Sequence, residues 1–423
     1  MTAISTTRSL GYVQVAPPTL VDEKPSASTN GARAQQHASD IVAILTSIAP
    51  KLPLVLVEND RVVKVVSDLS TSIIGPSFRA KMFPENISKS MLDLLQALTR
   101  IAQNNKLLKK DIADAFNDAK FFNTPVELLR ESWLPILAQW TQSDKERVPE
   151  YLARISAPTT AGIMFGVGAA SARQEADRKT QMTLRRVALL VLASPEDAYT
   201  PNVPFILEKV VELLTATPAT SPSSTTRADV LILLRAVILK TSPVHLAPLW
   251  PVANGELAAS LSSLLPNASN SEHYNNASIL QACKLLDELV VLDPDDFQLS
   301  EWLFLCDTID AVYKPATPPI QLSLTEEINE VLSQSGSGAV PIPPLNVDVD
   351  ELPSRKLTLD PLIWSLEEEE GAAVLDMARA ELVTRVVRPF LGNLALNAFE
   401  ARYGGGDADW QGIWESVVRD AGS

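Results

Sequence analysis

Residues able to do chemistry are few in this chain, and the useful types are not grouped. Three histidines, His37, His245 and His273, are spread through 423 residues. His245 follows a Ser-Pro pair, where it suits a helix cap or a carbonyl contact better than a general base. The two cysteines, Cys283 and Cys306, fall in separate helical patterns and read as small buried hydrophobes rather than disulfide partners, which suits a reducing compartment. The run GIMFGVGAA at 162–170 lacks the Gly-Lys-Ser/Thr ending and the strand context of a phosphate loop, so a mobile loop is expected there. Asp293, Asp295 and Asp296 lack the glycine and the twelfth-position glutamate of a calcium loop. With no nucleophile elbow, kinase set, zincin motif or cysteine-zinc spacing, the expectation is a protein that is not an enzyme and takes no cofactor or metal.

Two charged stretches could instead bind something. Arg173, Arg178, Lys179, Arg185 and Arg186 form the most basic stretch. They read either as a solvated helix face paired with its neighbours or as a dock for anionic lipid headgroups or an acidic partner segment. At 362–371 the chain reads LIWSLEEEEG, with Trp364 followed by Glu367, Glu368, Glu369 and Glu370. This is either a helix start whose acids favour the positive end of the dipole, or a tryptophan-acidic peptide of the sort kinesin light chains bind. Acids directly flanking Trp364 are missing. A net charge of −15, from 51 acidic against 36 basic residues, argues against nucleic acid as a partner.

The elements that must carry these residues are helical. Strand signals are nearly absent, although hydrophobic residues make up 46% of the chain. Apolar runs stop short of the ~20 residues of a membrane span, and no secretory signal is evident, so the sequons at Asn86, Asn267 and Asn276 are expected to stay unmodified. Residues 1–39 are rich in Ser, Thr, Ala, Pro and Gln and read as a disordered leader. From residue 40, Ile41, Ile44, Leu45 and Ile48 recur at helical spacing until Pro50 and Pro53, where a break is expected. Val62, Val63, Val66, Leu69 and Ile73 predict one helix over 54–74. Ser90 and Asp93 suggest a capping box opening 90–103. Thr124 caps a helix that carries Trp133 and Trp140 and kinks at Pro135. Further helices are expected over 184–192, 204–214, 278–292 and 295–313. Residues 40–314 thus read as a helical array. An acidic, Pro/Ser-rich loop segment over 315–360 follows, with one short helix at 324–333. A C-terminal helical cap over 361–423 has its joint at 388–390 and a last helix at 407–420. Leu394 and Phe399 would either seal a homodimer or close the array's own core.

The centre is 227–257, RADVLILLRAVILKTSPVHLAPLWPVANGEL. Its first half is apolar nearly all round apart from Arg235, as in a helix buried on several sides. Ser242-Pro243 ends it, and a second helix restarts near Ala247. Helix, corner and helix are the unit of stacked helical arrays. The fold class expected is all-α, an irregular α-solenoid of HEAT- or armadillo-like helix pairs with a disordered leader and an inserted acidic loop.

The run LLRAVILKTSPVHLAPLWPVANGEL resembles a segment near the C-terminal end of the Dopey family, which has a similar corner. Ser242, Pro243, His245, Leu246, Leu249, Trp250 and Pro251 carry that likeness. LVENDRVVKV, DIADAFNDAKFF, DDFQLSEWLFLCDTIDAVY and RPFLGNLALNAFEARY are similar to further stretches of the family. The resemblance implies the C-terminal region of a fungal-like member whose N-terminal region lies outside this sequence. It implies a non-enzymatic scaffold of vesicle traffic, peripheral on the cytosolic face of Golgi and endosome membranes. The partners it implies are an aminophospholipid flippase and an Arf-exchange-factor-like scaffold, in endosome-to-Golgi retrieval. An anionic-lipid module and a kinesin light chain adaptor are the alternatives.

Overall fold

The computed structural model describes residues 39–156, 169–215, 224–266, 268–306, 322–334, 355–371 and 373–423. The leader, the glycine run and most of the acidic segment lie outside these. The described residues are all-α. Their one strand-like pairing is an isolated bridge between Arg355 and Ala408.

The helices in chain order are α1 (Ser39–Leu56), α2 (Asn59–Leu69), α3 (Lys89–Ile101), α4 (Lys106–Asn117), α5 (Leu134–Gln142), α6 (Arg147–Ala153), α7 (Ala169–Ala193) and α8 (Val203–Leu214). They continue as α9 (Ser224–Lys240), α10 (Trp250–Ser262), α11 (Asn276–Leu292), α12 (Asp295–Glu301), α13 (Leu324–Gln334), α14 (Leu359–Glu370), α15 (Arg388–Tyr403) and α16 (Trp410–Gly422). Alternate helices pack on one another, α3 on α5, α5 on α7, α7 on α9 and α9 on α11. That is how repeated helix pairs bury a continuous core, and one cluster of buried apolar residues runs from Val42 to Ala421. The last helix departs from a terminal cap. α16 packs on α7 and α9, so the end of the chain returns to the middle of the array.

Prolines break fewer helices here than the sequence suggests. Three π turns, Ser70–Ile74, Leu129–Trp133 and Val383–Val387, each end two residues before a proline, Pro76, Pro135 and Pro389. A proline in a helix lacks the N–H for its bond to the residue four back and clashes with that carbonyl. Widening the preceding turn accommodates both, and the helix continues with a bend. The joint expected at 388–390 is therefore the start of α15 behind a π turn. Pro50 and Pro53 likewise pass within α1 through a short 3-10 turn, Ala49–Lys51. The break falls instead at Val57, whose φ is 56°. The helix expected over 54–74 is thus divided. The capping box expected at Ser90 also moves: Ser88 is the N-cap, accepting the Met91 N–H.

Aromatic side chains fill the first half of the core. Trp133 is fully buried, with its ring centroid 5.5 Å from Phe78 and 5.1 Å from Phe121. Trp133→Ala is expected to lower stability by about 3–5 kcal/mol, read as an earlier urea midpoint with the helical signal retained in buffer.

Candidate functional site

Among the described residues, a set of chemistry-bearing side chains converges in the interior. Arg235 stands on the apolar helix α9 with 0% exposure. Its Nε donates to Glu288 Oε2 at 3.0 Å, and its Nη1 donates to Asp420 Oδ2 at 2.6 Å and Gln281 Oε1 at 2.9 Å. Its Nη2 donates to Ser416 Oγ at 2.9 Å. Lys284 Nζ reaches both Asp420 oxygens, at 2.7 and 2.9 Å, and Asp360 Oδ1 at 3.0 Å. Asp287 accepts the backbone N–H groups of Thr358 and Leu359, each at 2.9 Å, and the Thr358 hydroxyl at 3.0 Å. Two cations and four carboxyl groups thus tie α9, α11, α14 and α16 together.

Electrostatics here follow burial and partner count. Burial pushes Glu288 up to about 7, against the pull of Arg235. Burial also pushes Asp287 up to about 6, against its hydrogen bonds from Leu359 and Thr358. Burial acts on Asp420 too, but Lys284 and Arg235 outweigh it and hold that carboxyl near 2. The sequence marked Arg235 only as an exception in an apolar run; Asp287-Glu288 inside LLDELVV was the matching signal.

The central corner is held from both sides. Asp197 accepts from the Ser242 N–H at 2.8 Å and from the Ser242 hydroxyl, and its own N–H donates to Lys240 O at 3.0 Å. The Ser242 hydroxyl and N–H hold the Asp197 carboxyl below its ordinary range. Leu249 is buried, and Trp250, 6% exposed, donates its indole N–H to Asp296 Oδ2 at 3.0 Å. Pro243, His245 and Pro251 are exposed. The second helix starts at Trp250, three residues later than expected, behind a 3-10 turn at Pro243–His245. Beside it Val203, Pro204, Leu207, Val211, His245 and Pro248 line an open, mostly apolar groove of about 510 Å³.

The basic stretch divides along α7. Arg178 and Lys179 are exposed and share Glu175, at 3.1 and 3.8 Å, and Arg173 is half-buried. Arg185 pairs at 2.6 Å with Asp229, which burial pushes up to about 6 despite that arginine. Arg186 is buried and donates to the carbonyls of Phe116, Asn117 and Asp118, at 2.7, 3.0 and 3.2 Å. It closes the C-terminal end of α4, where carbonyls lack helical partners. A headgroup could therefore meet Arg173, Arg178 and Lys179, while Arg185 and Arg186 are spent inside.

Trp364 is 44% exposed on α14, with the Arg419 guanidinium 4.4 Å from its ring centroid. Glu367 accepts the Val374 N–H at 3.0 Å. Glu368 and Glu369 are exposed, and Glu370 ends the helix. The four glutamates sit at the C-terminal end of α14 rather than at its start, so they do not gain from the helix dipole. Leu394 is fully buried and Phe399 half-buried, both on α15, so Leu394 closes the chain's own core. Cys283 is buried, its thiol pushed up to about 12 by burial, and Cys306 is half-buried; neither is in a disulfide.

Arg235→Ala would leave Glu288 buried without its cation and Asp420 with Lys284 alone. It is expected to cost about 3–5 kcal/mol, seen as an earlier denaturant midpoint. Glu288 titrates at its ordinary 4.5 when unfolded and near 7 when folded. Between those values the folded state holds a proton that the unfolded chain has lost, so stability rises as pH falls from about 7 to about 4.5. Asp287 and Asp229 add the same trend between about 6 and 3.8, whereas the stability that Asp420 contributes is lost only as pH falls from 3.8 towards about 2. Glu288→Gln is expected to flatten the rise in melting temperature between pH 7.5 and 5.5.

Comparison with known proteins agrees with the resemblance. The family description "DOP1 C-terminal" matches residues 8–404. Protein dop1 of Emericella nidulans is 39% identical over 422 residues, covering 99% of this chain and 22% of the relative. Protein DOP1 of Saccharomyces cerevisiae is 24% identical over 371 residues, covering 86% of this chain and 20% of the relative. Protein pad-1 of Caenorhabditis elegans is 25% identical over 258 residues, 57% of this chain and 10% of that protein. This chain thus spans about a fifth of the length of the first two relatives. None of the three names carries a catalytic activity. No solved structure matches the chain. A match over nearly the whole sequence, on an all-helical body, places this chain in the DOP1 family, the Dopey family of the resemblance, as a form of its C-terminal region.

Proposed function

We propose that this chain is a non-enzymatic scaffold of membrane traffic. It acts by binding proteins at the cytosolic face of Golgi and endosome membranes, in endosome-to-Golgi retrieval. Its partners in this reading are an aminophospholipid flippase and an Arf-exchange-factor-like scaffold, as the family likeness implies. The observation that carries the reading is where the polar chemistry sits. The Arg235 network, the Asp197–Ser242 tie and the Trp250–Asp296 bond are all engaged in holding helices together. What remains open beside the central corner is an apolar groove between α8 and the 3-10 turn, the kind of surface that takes a partner helix. Because Leu249 and Trp250 are core residues, the corner is tested through its exposed rim.

A second reading rests on Arg178 and Lys179, whose exposure leaves them able to meet anionic headgroups. A third is a kinesin light chain adaptor using Trp364, a residue 44% exposed with Arg419 over its ring.

The experiment is recovery of partners from a eukaryotic lysate with the 423-residue chain as bait, beside a Val211→Glu, His245→Glu variant. The expected outcome is flippase or exchange-factor-like scaffold with wild type, several-fold less with the variant, and equal melting temperatures. Recovery of neither partner overturns the scaffold reading. Flotation with anionic vesicles that Arg178→Glu, Lys179→Glu abolishes would put the lipid reading in its place, and light chain capture lost in Trp364→Ala would put the third.

A further inference from the structure

Among the described residues, the outer face of α1 and Val57 at the joint to α2 present uncovered apolar side chains, next to the exposed Glu58–Arg61 pair. Ile41, Ile44, Ile48, Leu54, Val55 and Val57 are between 45% and 84% exposed. In α1 the buried residues are Val42 and Ala49, and Leu45 and Leu56 lean on the core. By length and composition alone this helix could cross a membrane, yet only 11% of it is buried. The uncovered area is on the order of several hundred Å², at or beyond the largest patch a monomer ordinarily leaves open.

An α-helix that is apolar around its whole circumference is normally covered on more than one side. In arrays of helix pairs the terminal pair is the exception, because it carries a polar outer face where stacking ends. α1 carries only a narrow polar strip, Asp40, Ser47 and Lys51, beside the exposed Ile41, Ile44, Ile48 and Val55. Its surface is that of a pair inside an array.

The chemistry of the face separates the classes of cover. A helix lying on an anionic membrane carries a basic polar face, and one lysine does not make that. A spanning helix must satisfy its backbone internally, and Pro50 and Pro53 remove two donors from the C-terminal half of α1. A further helix pair needs only an apolar, shape-matched surface. The relatives supply the sequence for it. The matched region is 22% of the Emericella nidulans protein and is described as C-terminal, so most of that relative's length precedes it.

We propose that the outer face of α1 and the α1–α2 joint is a stacking surface for the helical repeat that precedes this region in the DOP1-family polypeptide. α1 is then an internal joint of a longer array, not its end. This inference rests on family membership and not on the trafficking reading.

Hydrogen exchange tests it. The amides of residues 39–57 are followed in the 423-residue chain alone. They are then followed in the full-length Emericella nidulans protein with its matched C-terminal region replaced by this chain. The proposal expects exchange at least about tenfold slower in the long protein. That protection should vanish in Ile44→Glu, Leu54→Glu, Val55→Glu, with the melting temperature of the 423-residue chain unchanged by the same substitutions. Equal exchange in both settings overturns it. So does protection already present in the short chain, whether it is lost on dilution, as with a second copy, or on deleting residues 1–38. Protection that appears only with vesicles of anionic lipid also overturns it. Should the chimera fail to fold, the unaltered relative, compared with its own isolated C-terminal region over the aligned segment, gives the same two outcomes.

Discussion

The structure depends on one buried guanidinium. Arg235 lies in α9 between Leu234 and Ala236, both fully buried, and an unpaired charge there would cost several kcal/mol. It is accommodated because Glu288 and Gln281 reach it from α11, and Asp420 and Ser416 reach it from α16. Those partners are 46 to 185 residues away in the chain, so α16 must come back to the middle of the array. Lys284 and Asp360 extend the constraint to α14. Apolar packing would tolerate several arrangements of similar helices, whereas this set of hydrogen bonds closes in one.

The same economy appears wherever a charged residue faces inward. Arg186 closes the end of α4, Arg227 joins Glu256 to the last turn of α8 at 2.8 Å and 3.0 Å, and Arg402 bridges Asp293 and Glu301, each at 2.8 Å. Asp293 and Asp296, which the sequence offers as metal-like acids, are taken by Arg402 and Trp250. A chain with 51 acids and 36 bases therefore spends much of its specific chemistry on its own architecture. What that leaves open is the apolar groove beside the central corner and the exposed rims of helices.

Proline has a different role here from the one its frequency suggests. The 30 prolines look like breaks in the sequence. At Pro76, Pro135 and Pro389 the backbone answers with a wide turn and carries on, so each helix runs through its proline rather than stopping at it.

By itself, the sequence determined that the chain is helical, where the central helix, the corner and the helices over 324–333 and 278–292 fall within a few residues, and which family it resembles. Those are local matters: apolar period, the Ser242-Pro243 stop, and a short motif read residue by residue. Tertiary structure decided the rest. It chose whether a proline breaks or bends, because that turns on room for a π turn. It chose which arginines face solvent, since Arg178 and Arg186 share one helix and one charge. It also placed α16 in the centre and Trp250 in the core. Each of these depends on partners far apart in sequence, and spacing along the chain carries no record of a bond that only the packed helices can make.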